Sequence, residues 1–124
     1  MSQGFFVQPT IFEGAAEDAE ITKQEIFGPV SVLNKFKTEE EIIEKANDTH
    51  YGLMAGVFTQ DINRALRFAS EIDSGMVGIN AISMAFVTAP FGGSKMSGLG
   101  RENAVDSLRM FTEKKTVFIN LTKP

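Results

Sequence analysis

Between positions 30 and 80 the hydrophobic period switches back and forth between two residues and about 3.6, and this alternation leaves few folds open. Residues 30–36 alternate as a strand. Thr38 then offers a hydroxyl to a helix start, with Glu41 placed to complete a capping box. Glu39, Glu40 and Glu41 put negative charge at the positive end of that helix's dipole, and Ile42, Ile43 and Ala46 supply its apolar face. Residues 54–59 read as a second strand. Asp61 can cap a second helix, in which Ile62, Ala65, Leu66 and Ala69 recur at helical spacing. Ser74-Gly75 reads as a C-cap signal, and residues 76–80 as a buried strand. A third helix is predicted over 101–111, with Ala104, Val105, Leu108 and Phe111 inward. A last strand is predicted over 116–121, with Val117, Ile119 and Leu121 on one face. Strands alternating with three helices predict an α/β fold with parallel pairing. The last strand need not join the same sheet.

Upstream, residues 4–12 read as an extended segment in which Pro9 bars a central sheet position. Residues 18–24 suit a short turn. Ile26-Phe27-Gly28-Pro29 breaks the chain, because glycine can take positive φ and a residue before proline avoids the helical region. The 124 residues suggest one domain rather than two. Eleven Phe beside one Tyr and no Trp suggest a core, or ligand walls, of plain aromatic surface.

A net charge of -4 with scattered basic residues argues against nucleic acid as a partner, and against a polybasic membrane anchor. No run approaches the ~18 apolar residues of a membrane helix. Met1-Ser2-Gln3 begins no signal peptide, so the two sequons at Asn47 and Asn120 read as chance. The expected compartment is the cytoplasm, with a mitochondrial parent as the alternative. The absence of cysteine excludes disulfides, thiolate metal sites and a cysteine nucleophile within these residues. His50 is the only histidine, so a metal site or a Ser-His-Asp triad would rest wholly on it. No metal site is expected, and no catalytic residue is assigned.

The stretch from Pro90 to Glu102 is rich in glycine and fails three motif tests. A phosphate loop needs a Gly-Lys pair, and Lys95 precedes Met96. A dinucleotide fingerprint needs a third glycine where Asn103 stands. A nucleophile elbow at Ser94 needs glycine at 96. What remains is a tight loop feeding a helix, with Gly98 and Gly100 serving backbone torsion and Lys95 in solvent. Glu25 and Phe27 are open to two readings. A carboxylate can accept both hydroxyl hydrogens of a ribose, and a phenyl ring near it can pack on a flat heterocycle. Equally, Glu25 is a surface residue before a turn and Phe27 a core residue.

Six segments, taken in order, resemble the aldehyde dehydrogenase superfamily: Gly4-Phe5-Phe6-Val7-Gln8-Pro9-Thr10-Ile11-Phe12, Gln24-Glu25-Ile26-Phe27-Gly28-Pro29-Val30, the stretch from Asn47-Asp48-Thr49-His50-Tyr51-Gly52 to Phe58-Thr59, Gly75-Met76-Val77-Gly78-Ile79-Asn80, the glycine stretch from Pro90 to Glu102, and Phe111-Thr112-Glu113-Lys114-Lys115-Thr116-Val117. The resemblance covers nearly all of residues 1–124 and implies the C-terminal part of a catalytic domain, about the last quarter of an enzyme. It implies NAD or NADP as coenzyme, an aldehyde as substrate and a homo-oligomer. Glu25 matches a glutamate that holds the nicotinamide ribose, and Phe27 an aromatic against the nicotinamide ring. Phe91 matches a wall of the aldehyde tunnel. Residues 81–87, including Ser83, Met84 and Ala85, match the loop shaping the substrate mouth. Residues 116–121 match an oligomerisation strand, which places Val117 and Ile119 at a subunit interface.

By the same resemblance Glu113 ties to arginines, including one at the Arg101 position of a neighbouring subunit. On the predicted helix these two residues would stand roughly 18 Å apart, with charges that oppose its dipole, so no contact within one chain is expected. The family attacks aldehydes with a cysteine thiolate, assisted by a glutamate base and an asparagine amide that stabilises the oxyanion. Those motifs lie earlier in family order, so these residues alone are expected to be inactive. Two other readings stand beside this one. The first is a non-enzymatic module that docks on full-length subunits through its last strand. The second is an unrelated small α/β enzyme working through Glu25 or Lys95.

Overall fold

A computed structural model describes residues 3–82 and 86–122. Contacts divide the chain into two compact units, Met1–His50 and Tyr51–Pro124.

The first unit pairs β1 (Thr10–Glu13) with β2 (Val30–Leu33) in parallel, Thr10 opposite Val30 and Glu13 opposite Leu33. β1 starts at the residue after Pro9, which has no N–H to give a ladder. β2 is shorter than its alternation suggests, ending at Leu33. The polar stretch before it forms a single helical turn, α1 (Glu20–Lys23). α2 (Glu39–Asn47) begins where the cap signal places it, with the Glu41 N–H donating to the Thr38 hydroxyl at 3.2 Å. The Glu41 carboxylate reaches one residue further back than a capping box requires and accepts from the Lys37 N–H at 2.8 Å. Ile42 and Ile43 are half-buried, but Ala46 is exposed, so the apolar face is narrower than expected.

Lys45 bridges Glu41 at 2.8 Å and Glu17 at 2.9 Å. The Lys45 hydrogen bond, joined by the Lys37 N–H, holds the Glu41 carboxyl below its ordinary range, and Glu41 and Glu17 hold Lys45 above its own. A depressed carboxylate contributes stability above its unfolded pKa and loses it as pH falls through the folded value. A raised amine contributes below its unfolded pKa and loses it as pH rises through the folded value. Both contributions are therefore present at neutral pH. In Glu41→Gln the Lys45 amine is expected to titrate at lower pH than in the parent, yet stay elevated, because Glu17 remains. An unmoved Lys45 titration followed by NMR would contradict this pairing.

The second unit pairs β3 (Met54–Val57) with β4 (Met76–Ile79), again in parallel. Parallel neighbours need a crossover of a dozen or more residues, and here it carries α3 (Ile62–Glu71). The Asp61 carboxylate caps α3, accepting from the Asn63 and Arg64 N–H groups at 2.9 and 3.3 Å. The inward residues are Ala65 and Phe68, whereas Ile62 and Leu66, also expected inward, are exposed. β4 is half-buried rather than buried. The helix ends at Glu71, so Ser74-Gly75 is not its C-cap. Gly75 serves close approach instead: a Cβ there would lie 1.8 Å from the Gly92 carbonyl oxygen.

Two C-terminal expectations change. The third helix, α4, spans only Asp106–Met110. Glu102 is occupied by an antiparallel bridge to Phe91, and Asn103 and Ala104 take left-handed φ of 60° and 49°, which a right-handed helix cannot accept. Val105, Leu108 and Phe111, expected inward, are exposed. Residues 116–121 form no strand, because a strand exists only where a neighbouring ladder satisfies its N–H and C=O groups.

Burial is sparse. Among the described residues the buried hydrophobics are Ala65 and Phe68; Phe91 is half-buried and the other nine phenylalanines are exposed. The accessible surface is 10631 Å², against roughly 6,600 Å² for one compact monomer of this length and roughly 8,000 Å² for two separate units. Many large hydrophobic side chains, Phe5, Phe27 and Phe118 among them, contribute to that exposed surface.

Candidate functional site

Glu25 and Phe27 lie in the first unit on a bend tied at both ends. Ahead of it the Gln24 N–H closes α1 onto the Glu20 carbonyl at 2.8 Å. Behind it the Thr10 N–H donates to the Pro29 carbonyl at 2.9 Å, the first rung beside β2. Between these ties the Gly28 N–H donates to Ile26 O and the Val30 N–H to Gly28 O, both at 2.8 Å, making two successive three-residue turns. Gly28 does not take the positive φ its type permits. Phe27 is 95% exposed, so within this chain it is not a core residue. Glu25 is exposed beside it, its carboxylate free of any hydrogen bond among the described residues. The hydrogen-bonded bend thus carries an exposed carboxylate and an exposed ring two residues apart.

Elsewhere in this unit the Lys23 ammonium holds Asp48 by its carboxylate at 2.5 Å and its carbonyl at 2.9 Å. These residues border a polar cleft of 400 Å³ that includes Asp18 and His50. Among the described residues no group of three or more His, Cys, Asp or Glu side chains could hold a metal ion.

Phe91 belongs to the second unit and is positioned by a knot of backbone contacts. Its N–H donates to Glu102 O at 2.9 Å, and the Glu102 N–H donates to Phe91 O at 2.6 Å. The Gly52 carbonyl accepts from both Gly75 (2.9 Å) and Ser94 (2.7 Å), so the glycine stretch is sewn to the start of the β3–β4 pair. Gly98 and Gly100 take the positive φ expected of them, 150° and 76°. Lys95, expected in solvent, is 21% exposed and lies 3.6 Å from Asp73.

Arg101 does not start a helix. Its guanidinium donates to the carbonyls of Gly93 (2.7 Å) and Gly100 (2.8 Å) and reaches the Ser94 hydroxyl at 3.4 Å, stapling the glycine loop. The helix behind the 18 Å separation from Glu113 is therefore not there, although no contact between the two is present among the described residues. Glu113 is exposed, as are Val117 and Ile119 at 67% and 75%.

The loop 81–87 is held at both ends. Val87 O accepts from the Ala104 N–H at 3.0 Å, and Asn80 anchors the start. Ser83, Met84 and Ala85 lie outside the described residues. Between Met54, Met76, Ile79, Ala81 and Phe86 lies an apolar cavity of 250 Å³. The Asn80 anchor and the Arg101 staple were missed by sequence reasoning. A polar residue tolerant of positive φ directly after a strand was the available signal for Asn80; Arg101 offered none.

Parallel strand pairs with helical crossovers, a hydrogen-bonded bend bearing a carboxylate and an aromatic, and an aromatic seated by a glycine knot are the features on which known proteins can be compared. The model of the aldehyde dehydrogenase family matches residues 1–117. An aldehyde dehydrogenase-like protein of Schizosaccharomyces pombe is 51% identical over 120 residues, 97% of this chain and 24% of that protein. Aldehyde dehydrogenase 1A1 of Gallus gallus is 50% identical over 120 residues, with the same shares. The structure of a Bacillus cereus aldehyde dehydrogenase in complex with NAD+ superposes with a TM-score of 0.90 at 45% identity, over 98% of this chain and 25% of that one. The chain belongs to the aldehyde dehydrogenase family, and it spans about a quarter of the length of these relatives. Membership removes the reading of an unrelated enzyme acting through Glu25 or Lys95.

Proposed function

We propose that these residues form coenzyme and substrate walls of an NAD(P)-dependent oxidation of aldehydes to carboxylic acids, completed by polypeptide beyond them in family order. The observation that carries this reading is Phe27, an apolar ring held 95% exposed on a doubly turned bend beside a carboxylate. A ring kept in water at that cost of apolar exposure fits a planar partner. The donor set fits the coenzyme: Glu25 would accept ribose hydroxyl hydrogens and Phe27 would pack against the nicotinamide. When bound, NAD(P) supplies the hydride acceptor. Phe91 would exclude water along the aldehyde's path. The chain contributes no thiolate nucleophile, since it has no cysteine. Assembly as a homo-oligomer would use Arg101, Glu113, Val117 and Ile119, and the proposed compartment is the cytoplasm, after a mouse relative named aldehyde dehydrogenase, cytosolic 1.

The test is a graft of this chain in place of the matching quarter of the Gallus gallus relative. The graft is expected to reduce NAD+ with aldehydes, and the 124-residue chain alone to be silent for want of a thiolate. Glu25→Gln in the graft should slow turnover by about 10-fold through loss of coenzyme orientation. Steady NADH production by the pure chain, or an unaltered Glu25→Gln graft, would sink the assignment. A second reading, a non-enzymatic module docking on full-length subunits, draws on one observation: Val117, Phe118, Ile119 and Leu121 are exposed on a segment that joins no sheet.

A further inference from the structure

The helical turn α1 is too short to hold itself. Its four residues bury no side chain, and Ala19, at its N-cap, gives it no side-chain hydrogen bond. A single turn fixes more torsions than its hydrogen bonds repay, so something outside the turn must fix it. One tie is local: the Thr22 hydroxyl donates to the Ala16 carbonyl at 2.8 Å. Another spans 25 positions. The Lys23 ammonium donates to the Asp48 carbonyl at 2.9 Å and to the Asp48 carboxylate at 2.5 Å.

Asp48 is a firm anchor. It is the C-cap of α2, and its N–H donates to the Glu44 and Lys45 carbonyls at 3.0 and 3.2 Å. The helix behind it is capped at Thr38 and bridged from Lys45 to Glu17. A cation at this end also meets the negative pole of the helix dipole. The Asp48 side chain is 74% exposed, and a carboxylate that open adds little by charge attraction alone. The bond to the anchored carbonyl therefore matters more.

Gln24 ends α1, and Glu25 and Phe27 follow without a spacer. The far end of their bend is fixed to β1 through the Pro29 carbonyl. Its near end is fixed only as well as α1 is. We infer that Lys23 is a positioning residue for the coenzyme: by gripping the end of α2 it places α1, and through α1 the Glu25 carboxylate and the Phe27 ring. The inference rests on the proposal that this bend receives the nicotinamide ribose and ring. Lys23 acts through the backbone and needs no contact with the coenzyme.

Two variants test the grip in the 124-residue chain. Lys23→Met deletes the donor and keeps an apolar stem, whereas Lys23→Arg keeps a donor. Lys23→Met should speed hydrogen exchange at the Gln24 amide, which closes α1 onto Glu20, by about 10-fold. The Ala65 amide in the second unit should not move, and Lys23→Arg should exchange like the parent. An unmoved Gln24 amide in Lys23→Met, or an arginine variant as fast as the methionine one, overturns the grip. In the grafted enzyme, Lys23→Met should slow turnover per folded chain about 5-fold. On a Glu25→Gln background the same change should cost less than about 2-fold, because the carboxylate it places is already gone. Equal losses on both backgrounds would mark a merely structural lysine and overturn the positioning role. If Glu25→Gln alone leaves the graft unaltered, the proposed function fails instead, and the exchange result decides the grip by itself.

Discussion

Gly75→Ala is expected to remove much of the stability of the second unit. The added methyl would sit 1.8 Å from the Gly92 carbonyl oxygen and 3.2 Å from the Arg101 guanidinium. Both obstacles are anchored. Gly92 sits between the Phe91–Glu102 bridge and the Gly93 carbonyl that Arg101 grips. Relief therefore means parting the glycine stretch from the sheet, at a cost of about 3 kcal/mol. A unit of this size holds only about 4–10 kcal/mol, and this one has little core beyond Ala65 and Phe68. Gly28→Ala, in the first unit, reports the effect of a methyl that meets nothing nearer than Ile26 Cγ2 at 4.0 Å, and that effect should stay within about 0.5 kcal/mol. Urea melts followed by circular dichroism compare the two. Superimposable melts for Gly75→Ala and the parent would show that the glycine knot does not hold the unit together.

Glu113→Lys should weaken subunit association of the grafted enzyme by on the order of 100-fold. The proposed interface sets Glu113 against an arginine of a neighbouring subunit, and a lysine there would juxtapose like charges. Within one chain Glu113 is exposed, so the substitution leaves the fold of the unit intact. Arg101 complicates the picture usefully. One of its terminal nitrogens is committed to Gly93 and Gly100, the other reaches Ser94, and only the donors left over can serve a partner. Loss of Arg101 should therefore damage both the glycine loop and the assembly, whereas loss of Glu113 should damage the assembly alone. Analytical ultracentrifugation across a dilution series measures this. An undisturbed oligomer in Glu113→Lys would return the residue to an ordinary surface charge.

The uncovered apolar surface has its own consequence. Strand edges and exposed phenylalanines promote association, so the 124-residue chain by itself is expected to self-associate, as sedimentation would show.

What could be read along the chain is what neighbouring residues decide among themselves. The caps at Thr38 and Asp61, the strand that begins only after Pro9, the torsions of Gly98 and Gly100 and the alternation along β2 all depend on a few adjacent positions, and the structure shows each of them. Order and residue identity over six segments also sufficed to indicate the family. Burial was not legible, because an apolar residue is inward only if something covers it. Ile62, Leu66, Val105, Leu108 and nine phenylalanines lack that cover here. The third helix was overextended because its period runs unbroken through Asn103 and Ala104, while their left-handed torsions answer to the Phe91–Glu102 bridge. The Asn80 side chain accepts from the Thr59 N–H, 21 positions away, and the Arg101 staple turns back on its own loop. A side chain's bond to a distant backbone group has no sequence period to announce it, so only the tertiary structure decided where these two residues act.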